Sequence, residues 1–409
     1  MRCVFMRAGG RLVCCFLLRE YPVIYLDNAA TTYPKPPQVY RAWTEAMRSF
    51  GANPGRGGYA FSAHTSEEVY NSRMSCAELF GAEPENTVFT LNCTQALNYA
   101  IKGIAGRKPH FVISDVEHNA VLRPVHSCAA GSGGSYSIFE SSDDEELTLS
   151  RAERAIRRDT SAVICTAASN VTGKRLPIYR LAELCRSKGV PFIVDAAQGA
   201  GVLPLKVGNG VSFICAAGHK GLYGPMGTGL LISDGSYTLK TLIEGGTGSA
   251  SESPVHPDFT PDRFESGTIN TAGAIALGAG ARFVKERTPE AILRHELELC
   301  RRFCNGARHI DGVKLYADIT VGNLSLYAPV VSFNVRDKHS SEVSQILGER
   351  GFCLRGGLHC APMAHKKLGT LESGTVRFSP SVFTTAAEVE ALLRELRRMA
   401  DSGTKTALF

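Results

Sequence analysis

Two stretches decide how this chain is read: Phe192-Ile-Val-Asp195-Ala-Ala-Gln198, and Ser212-Phe-Ile-Cys-Ala-Ala-Gly218-His219-Lys220-Gly-Leu-Tyr-Gly-Pro-Met-Gly-Thr-Gly229. Each begins as a short apolar run and stops on a residue able to do chemistry. Lysine is rarely buried without a partner or a covalent role. When burial strips its charge, it becomes an amine that can form a Schiff base with a carbonyl. A carboxylate at the end of a hydrophobic strand needs a cationic partner. Taken singly, Lys220 reads as an exposed loop lysine and Asp195 as the cap of a following helix. A strand ending in Asp followed by a strand ending in Lys is a stronger joint signal, and it asks for a ligand with both a carbonyl and a cationic nitrogen. Pyridoxal phosphate (PLP) has both.

Working outward, the same texture repeats. Apolar runs rich in β-branched residues occur at Thr87–Leu91, His110–Ser114, Ala162–Thr166, Pro191–Val194, Ser212–Ala216 and Gly229–Ser233. Helical periodicity fits Val39–Phe50, Ser66–Phe80, Thr94–Ile104, Leu149–Arg158 and Pro177–Lys188. This alternation predicts an α/β fold with a mainly parallel sheet covered by helices on both faces. Ligands gather at the carboxyl ends of such strands, and the remaining candidates stand there. In Leu91-Asn-Cys93-Thr94-Gln a strand opens into a helix whose first N–H groups can hold a phosphate. In Asp115-Val-Glu-His118 a histidine follows a strand and can stack on a planar ring. A capping threonine and a structural histidine explain these two equally well.

Gly131–Glu146 reads as a surface loop. After Thr288 the texture changes to a charged amphipathic helix, Pro289–Arg308, then short strands including Val330–Val335 and Thr375–Ser379. A last helix runs from Ala386 to about Met399. The expected organisation is an irregular leader (1–20), a large cofactor domain (21–287) and a smaller α+β C-terminal domain (288–409). In the leader, Arg2, Arg7, Arg11 and Arg19 surround an apolar run, Leu12–Leu18, with no small-residue cleavage site after it.

Composition removes whole classes. With 409 residues, 44% hydrophobic and 21% charged, the chain suits an ordinary globular protein with room for a large core. Its net charge of +6 is modest and scattered, which argues against nucleic acid; Arg394, Arg397 and Arg398 read as a solvated helix face. No apolar run approaches the ~20 residues that span a bilayer. Thirteen cysteines, placed singly apart from Cys14-Cys15 and often within apolar runs, suit reduced thiols in the cytoplasm. Neither G-x-G-x-x-G nor G-x-x-x-x-G-K-[ST] occurs, so dinucleotide and nucleoside triphosphate readings lose their main support. No pattern asks for a metal.

The elements above, in this order, resemble the class V aminotransferase family of PLP enzymes, its cysteine desulfurase branch in particular. Tyr25-Leu-Asp-Asn-Ala-Ala-Thr-Thr32, Gly51-Ala-Asn-Pro-Gly-Arg-Gly-Gly58, Ser169-Asn170-Val-Thr-Gly173, Phe264-Glu-Ser-Gly-Thr268 and Arg355-Gly-Gly-Leu-His-Cys360-Ala-Pro add to the likeness. It covers nearly the whole chain from about Tyr21.

The resemblance implies PLP transferase fold type I, with a seven-stranded large-domain sheet and the Cys360 loop in the small domain. It implies Lys220 as the Schiff-base lysine, Asp195 as partner of the ring nitrogen, Gln198 beside the phenolic oxygen and His118 on the ring. Thr94, His219 and Thr268 become phosphate contacts, Thr268 reaching in from the neighbouring subunit of a homodimer, and Cys93 lies in the same cofactor site. Asn170 and Arg377 hold the substrate carboxylate, with Arg355 and Ala29 also in the substrate site. Cys360 becomes the sulfur-accepting nucleophile, with His359 and Arg355 as candidate helpers.

The short spacing from Arg355 to Cys360 is similar to the short-loop, group II desulfurases and to selenocysteine lyases. Ala217, Cys93, Gly356 and Leu358 depart from residues common at those positions. The expected activity is release of alanine from L-cysteine with a persulfide left on Cys360 for an acceptor protein or thiol. Selenocysteine lyase, another lyase of the same family, and a non-catalytic sulfur-relay scaffold are the alternatives.

Overall fold

The computed structural model describes residues 3–8, 11–16, 23–55, 57–249 and 251–402, the first two segments as backbone. A seven-stranded sheet occupies the larger part. Its order across is Thr87–Thr90, Gly229–Ser233, Phe213–Ala217, Phe192–Asp195, Thr160–Thr166, His110–Ser114 and Ser135–Phe139. All neighbours run parallel except Gly229–Ser233, which is antiparallel to both of its own. The link 218–228 is too short for a helical crossover, so the chain returns in the opposite direction.

The central strands are apolar without alternation because both faces are covered. Phe111, Ile113, Ile164, Ile193 and Phe213 pack on one side with Leu97 and Ile101 of helix Cys93–Ile104 and Val121 and Val125 of helix Asn119–Ser132. Val112, Val163, Val194, Ile214 and Leu230 point to the other side, against Leu181 and Cys185 of helix Ile178–Lys188 and Leu277 and Ala281 of helix Thr271–Arg287.

A second, antiparallel sheet follows in the order Val313–Leu315, Val331–Val335, Thr375–Phe378, Arg355–Gly357. Its core centres on Phe303 of helix Pro289–Ala307, stacked on Phe378 with ring centroids 4.5 Å apart. The short strand Ile24–Tyr25 belongs here: it pairs in parallel with Phe352–Cys353, and Leu26 is buried in this core.

Three expectations need correction. Ser135–Phe139, inside the stretch read as a loop, is the edge strand of the large sheet. Its flanking glycines and serines hid an alternating Tyr136/Ile138 pattern, and only Phe139 is buried. Helix Asn119–Ser132 runs into the same stretch. The segment expected to be an irregular leader contains an antiparallel hairpin, Cys3–Ala8 with Arg11–Phe16; the rest of the apolar run, from Leu17, lies outside the described residues.

Between the two sheets lies a buried polar contact. Tyr223 Oη donates to Glu296 Oε1 at 3.2 Å and accepts from Val382 N–H at 3.2 Å. Burial pushes the Glu296 carboxyl up to about 8, so it is neutral in the fold at neutral pH. A folded-state value raised above the unfolded one contributes stability at low pH that is lost as pH rises through about 8. Glu296→Gln keeps the shape without the charge. Its stability relative to the parent should therefore improve from pH 5 to pH 9 by on the order of 3 kcal/mol, measured by urea denaturation at each pH.

Candidate active site

In the large sheet, every strand that leads to a candidate residue delivers it from its carboxyl end. Thr90 leads to Cys93 and Thr94, Ser114 to His118, Thr166 to Asn170, Phe192–Asp195 to Gln198, and Ala217 to His219 and Lys220. Together Cys93, Thr94, His118, Asn170, Asp195, Gln198, His219 and Lys220 line one cavity of about 500 Å³.

Asp195 is buried at 2% exposure. Its Oδ1 accepts from Ala197 N–H at 2.9 Å and from the Cys93 thiol at 3.4 Å. These bonds orient the carboxylate from its strand-end side. Cys93, the first residue of its helix, is pushed well above an ordinary thiol by burial and by Asp195, so it stays protonated, its one S–H shared between Asp195 Oδ1 and Cys215 O, the latter at 3.2 Å.

Lys220 is shifted down, first by burial and then by Arg377, with Asp195 opposing. Its loop is held from beneath through backbone carbonyls. His219 O accepts from Lys35 Nζ at 2.8 Å and from Thr31 Oγ1 at 3.1 Å, and Lys220 O accepts from Thr32 Oγ1 at 2.8 Å. Burial brings Lys35 itself to about 8.

His118 caps helix Asn119–Ser132, its Nδ1 accepting from Ala120 N–H at 3.0 Å. Burial lowers its pKa, with Asp195 opposing and Lys220 and the two arginines adding to the fall. The neutral ring therefore carries its proton on Nε2. His219 is pushed to about 4, mainly by burial, and its Nδ1 is buried without a protein partner. The preceding residue of the His118 motif, Glu117, is buried and pushed up to about 8 by desolvation, although Thr166 N–H at 2.8 Å and Ser114 Oγ donate to its Oε1.

The second sheet supplies the cationic side. Arg377 is 1% exposed and donates to Asp27 Oδ1 at 2.8 Å and to Asn170 O at 3.1 Å. Burial shifts it down and Asp27 holds it up. Arg355 is its cross-strand partner in the register, and is exposed. Ala29 is buried, its carbonyl accepting from Gln198 Nε2 at 3.0 Å.

Cys360 is exposed, with φ of +57° after His359 at +48°. Asn170 Nδ2 donates to His359 O at 2.8 Å and Asn119 N–H to Cys360 O at 2.8 Å, which ties the loop to the cavity wall. His359, a candidate helper of the thiol, is instead buried. It is pushed to about 2 by desolvation and Arg377, and its Nε2 donates to Thr375 O at 2.9 Å. A neutral ring committed to a carbonyl offers Cys360 no cationic partner.

Thr268 stands apart: it is exposed and lines a different cavity with Gln95, Tyr99 and Asn270. Asp27, Thr31, Thr32 and Lys35 were not singled out in the sequence. For the first three the signal was the cluster of acid, amide and hydroxyls in Tyr25-Leu-Asp-Asn-Ala-Ala-Thr-Thr32; Lys35, three residues further on, had none.

A lysine, a carboxylate and a histidine converging at the carboxyl ends of parallel strands, with a buried arginine across the cleft, define an enzyme built to work on a small amino-acid-like anion. The family profile "Aminotransferase class-V" matches residues 24–392, and the chain belongs to that family. It is 32% identical to a probable cysteine desulfurase of Methanothermobacter thermautotrophicus over 98% of this chain and all of that one. It is also 32% identical to a probable cysteine desulfurase of Pyrococcus abyssi, over 93% and 95% of the two chains. The apo structure of a cysteine desulfurase from Thermococcus onnurineus NA1 matches with a TM-score of 0.85 at 33% identity, covering 93% of this chain and 95% of that one. The fold is accordingly PLP transferase fold type I, and family membership implies PLP as the cofactor.

Exposure ranks the thiols. Cys360 is exposed, Cys128 and Cys353 are partly buried, and Cys76, Cys185 and Cys304 are buried with pKa values raised to about 12, 12 and 11. Iodoacetamide at neutral pH should label Cys360 first among the described cysteines, read by peptide mass spectrometry. Prior labelling of a buried thiol such as Cys76 would contradict this site geometry.

Proposed function

We propose that this chain is a PLP-dependent cysteine desulfurase that converts L-cysteine to L-alanine and carries the sulfur on Cys360 as a persulfide. The observation that carries the reading is the exposed Cys360. Its turn is fastened by Asn119 and Asn170 to the rim of the cavity that holds Lys220, Asp195 and His118.

The residues present fit the cofactor. His219 Nδ1 is a buried polar atom with no protein partner. It faces the cavity beside Thr94 and the amino end of helix Cys93–Ile104, where a phosphate is favoured. Asp195 is held at Oδ1, which leaves Oδ2 for a ring nitrogen, and His118 is a neutral aromatic ring in the same wall. When bound, PLP supplies a carbonyl for Lys220 and an electron sink for charge developing at the substrate Cα.

The chain's own residues then do the following. Arg377, with Arg355 and Asn170 beside it, binds and orients the substrate carboxylate. Lys220, its charge disfavoured by burial, takes the Cα proton as a neutral amine. His118 carries a proton on Nε2 over the cavity. Cys360 as thiolate forms an S–S bond to the substrate sulfur while the substrate's Cβ–S bond breaks. Protons returned to Cα and Cβ leave alanine. The outer sulfur of the Cys360 persulfide passes to an acceptor protein or thiol.

The exposed Thr268, away from this cavity in its own chain, supports a homodimer in which it contacts the phosphate of the neighbouring site. We place the division between a cofactor domain and a small domain at about 287/288; the two separate sheets support it, with Ile24–Leu26 packed on the small one. The ten cysteines whose side chains are described are free thiols, which supports a cytoplasmic, reducing setting.

Cys360→Ser should keep the yellow cofactor colour, bleachable by borohydride, and lose alanine release from cysteine. Normal turnover would refute the sulfur-transfer role. Anaerobic assays with cysteine and selenocysteine, with and without added thiol, separate desulfurase from selenocysteine lyase. Sedimentation should give a species of twice the 44.0 kDa chain, and Thr268→Ala should weaken PLP binding in titrations of the cofactor-free protein. A monomer that binds PLP fully would overturn the shared site.

A further inference from the structure

The turn that carries Cys360 is one the backbone resists. Left-handed φ at His359 and Cys360 costs a non-glycine residue roughly 1–2 kcal/mol each, and such geometry persists only where the surroundings over-determine it. Asn119, Asn170 and Ala361 fix the turn through its backbone carbonyls. The remaining fastening is the His359 side chain, whose Nε2 lies 2.9 Å from Thr375 O.

A carbonyl only accepts, so Nε2 of His359 carries the proton and Nδ1 is a bare acceptor. That Nδ1 is buried and has no partner. The next ring is His365 of helix Pro362–Leu368, fully buried, with its centroid 5.8 Å away and its plane tilted by 33°. His365 Nδ1 lies 2.8 Å from the buried Thr370 Oγ1, and its Nε2 is also buried without a partner. Two buried ring nitrogens without partners thus stand on adjacent rings, and each left unmet costs about 1–3 kcal/mol.

We propose that His365 is a positioning residue for Cys360: the Thr370 hydroxyl donates to its Nδ1, and its Nε2–H serves His359 Nδ1 through one bridging water. This completes a chain of neutral hydrogen bonds from Thr370 through both rings to Thr375 O that holds the thiol-bearing turn. The inference rests on Cys360 as the sulfur acceptor. Ionisation of the rings plays no part in it. Burial and the charges of Arg377 and Arg355 keep His359 neutral, and burial does the same for His365.

The test uses the full chain with its cofactor, labelled with ¹⁵N-histidine. Long-range ¹H–¹⁵N spectra should show His359 and His365 both as the Nε2–H tautomer, with shifts unchanged from pH 6 to pH 8. A proton on Nδ1 of His365, or titration of either ring in that range, would overturn the proposal. In parallel, His365→Phe removes the donor and keeps a ring, whereas His365→Gln returns an N–H near the lost one. Amide hydrogen exchange in 357–361 should rise about tenfold in the Phe variant, as for the loss of one hydrogen bond, and stay near the parent rate in the Gln variant. Both should keep the parent's cofactor absorption, and the Phe variant should lose kcat with KM unchanged. Parent-like exchange in His365→Phe would sink the idea, and the tautomer measurement decides if that variant does not fold. Turnover by Cys360→Ser would remove the sulfur-acceptor reading alone, since the tautomers and exchange rates report the hydrogen-bond chain whatever Cys360 does.

Discussion

Everything at the site hangs on the seven residues Leu26–Thr32. On one side this segment is stitched to the second sheet: Leu26 N–H to Cys353 O at 3.0 Å, Ser379 N–H to Leu26 O at 2.9 Å, and the Ser379 hydroxyl accepting from Ala29 N–H at 2.9 Å. On the other side it grips the lysine loop through Thr31 and Thr32 and receives Gln198 on Ala29 O. Asp27, between the two, holds Arg377. The same short stretch therefore sets the distance between the lysine on the parallel sheet and the arginine on the antiparallel one. Orientation of a small substrate between two such groups is where much of a catalytic advantage originates.

The electrostatics follow from that arrangement. Arg355 and Arg377 face each other across adjacent strands, an arrangement that is destabilising for like charges. Asp27 offsets only the buried member. Lys220 is held below its ordinary value by burial and Arg377 together. The cleft thus favours an incoming carboxylate and a neutral amine at once, because the positive charge that attracts the anion also disfavours protonation of the lysine. The cost of keeping two arginines together is local strain at a functional site, where departures from locally consistent sequence are expected.

Much of this was legible in the sequence because it is local. At Thr94 and His118 a strand, a special residue and a helix fall within about ten residues, and at Asp195 and Lys220 the special residue ends or closely follows a strand, so their order along the chain already implies a sheet with its ligands at one edge. What escaped was either disguised or distant. Ser135–Phe139 is an edge strand with little buried, so its pattern is weak beside the surrounding glycine and serine. Helix Asn119–Ser132 contains Pro124 and Gly131, residues that argue against a helix interior, and tertiary packing of Val121 and Val125 overrides them. The Asp27–Arg377 bond joins positions 350 residues apart, and the His359–His365 juxtaposition depends on how one turn meets one short helix. No periodicity reports contacts of that kind.

The cysteines show the same limit from another side. Sequence alone separates Cys360 from the others by its polar and glycine neighbours, whereas the structure separates them by accessibility. Cys165 and Cys215 are wholly buried in strands, with thiols pushed well above their ordinary values by desolvation. Cys93 is buried too, yet it is spent on orienting Asp195. A thiol can accept sulfur only where both a substrate and a second acceptor can reach it, since it must attack one and be attacked by the other. Cys360 is exposed on a left-handed turn tied to Asn170 of the cavity wall, whereas the buried thiols do not meet that double requirement. A turn that the backbone disfavours is the means by which a side chain on a fixed loop is put at such a place, which is why the hydrogen bonds beneath it matter as much as the thiol itself.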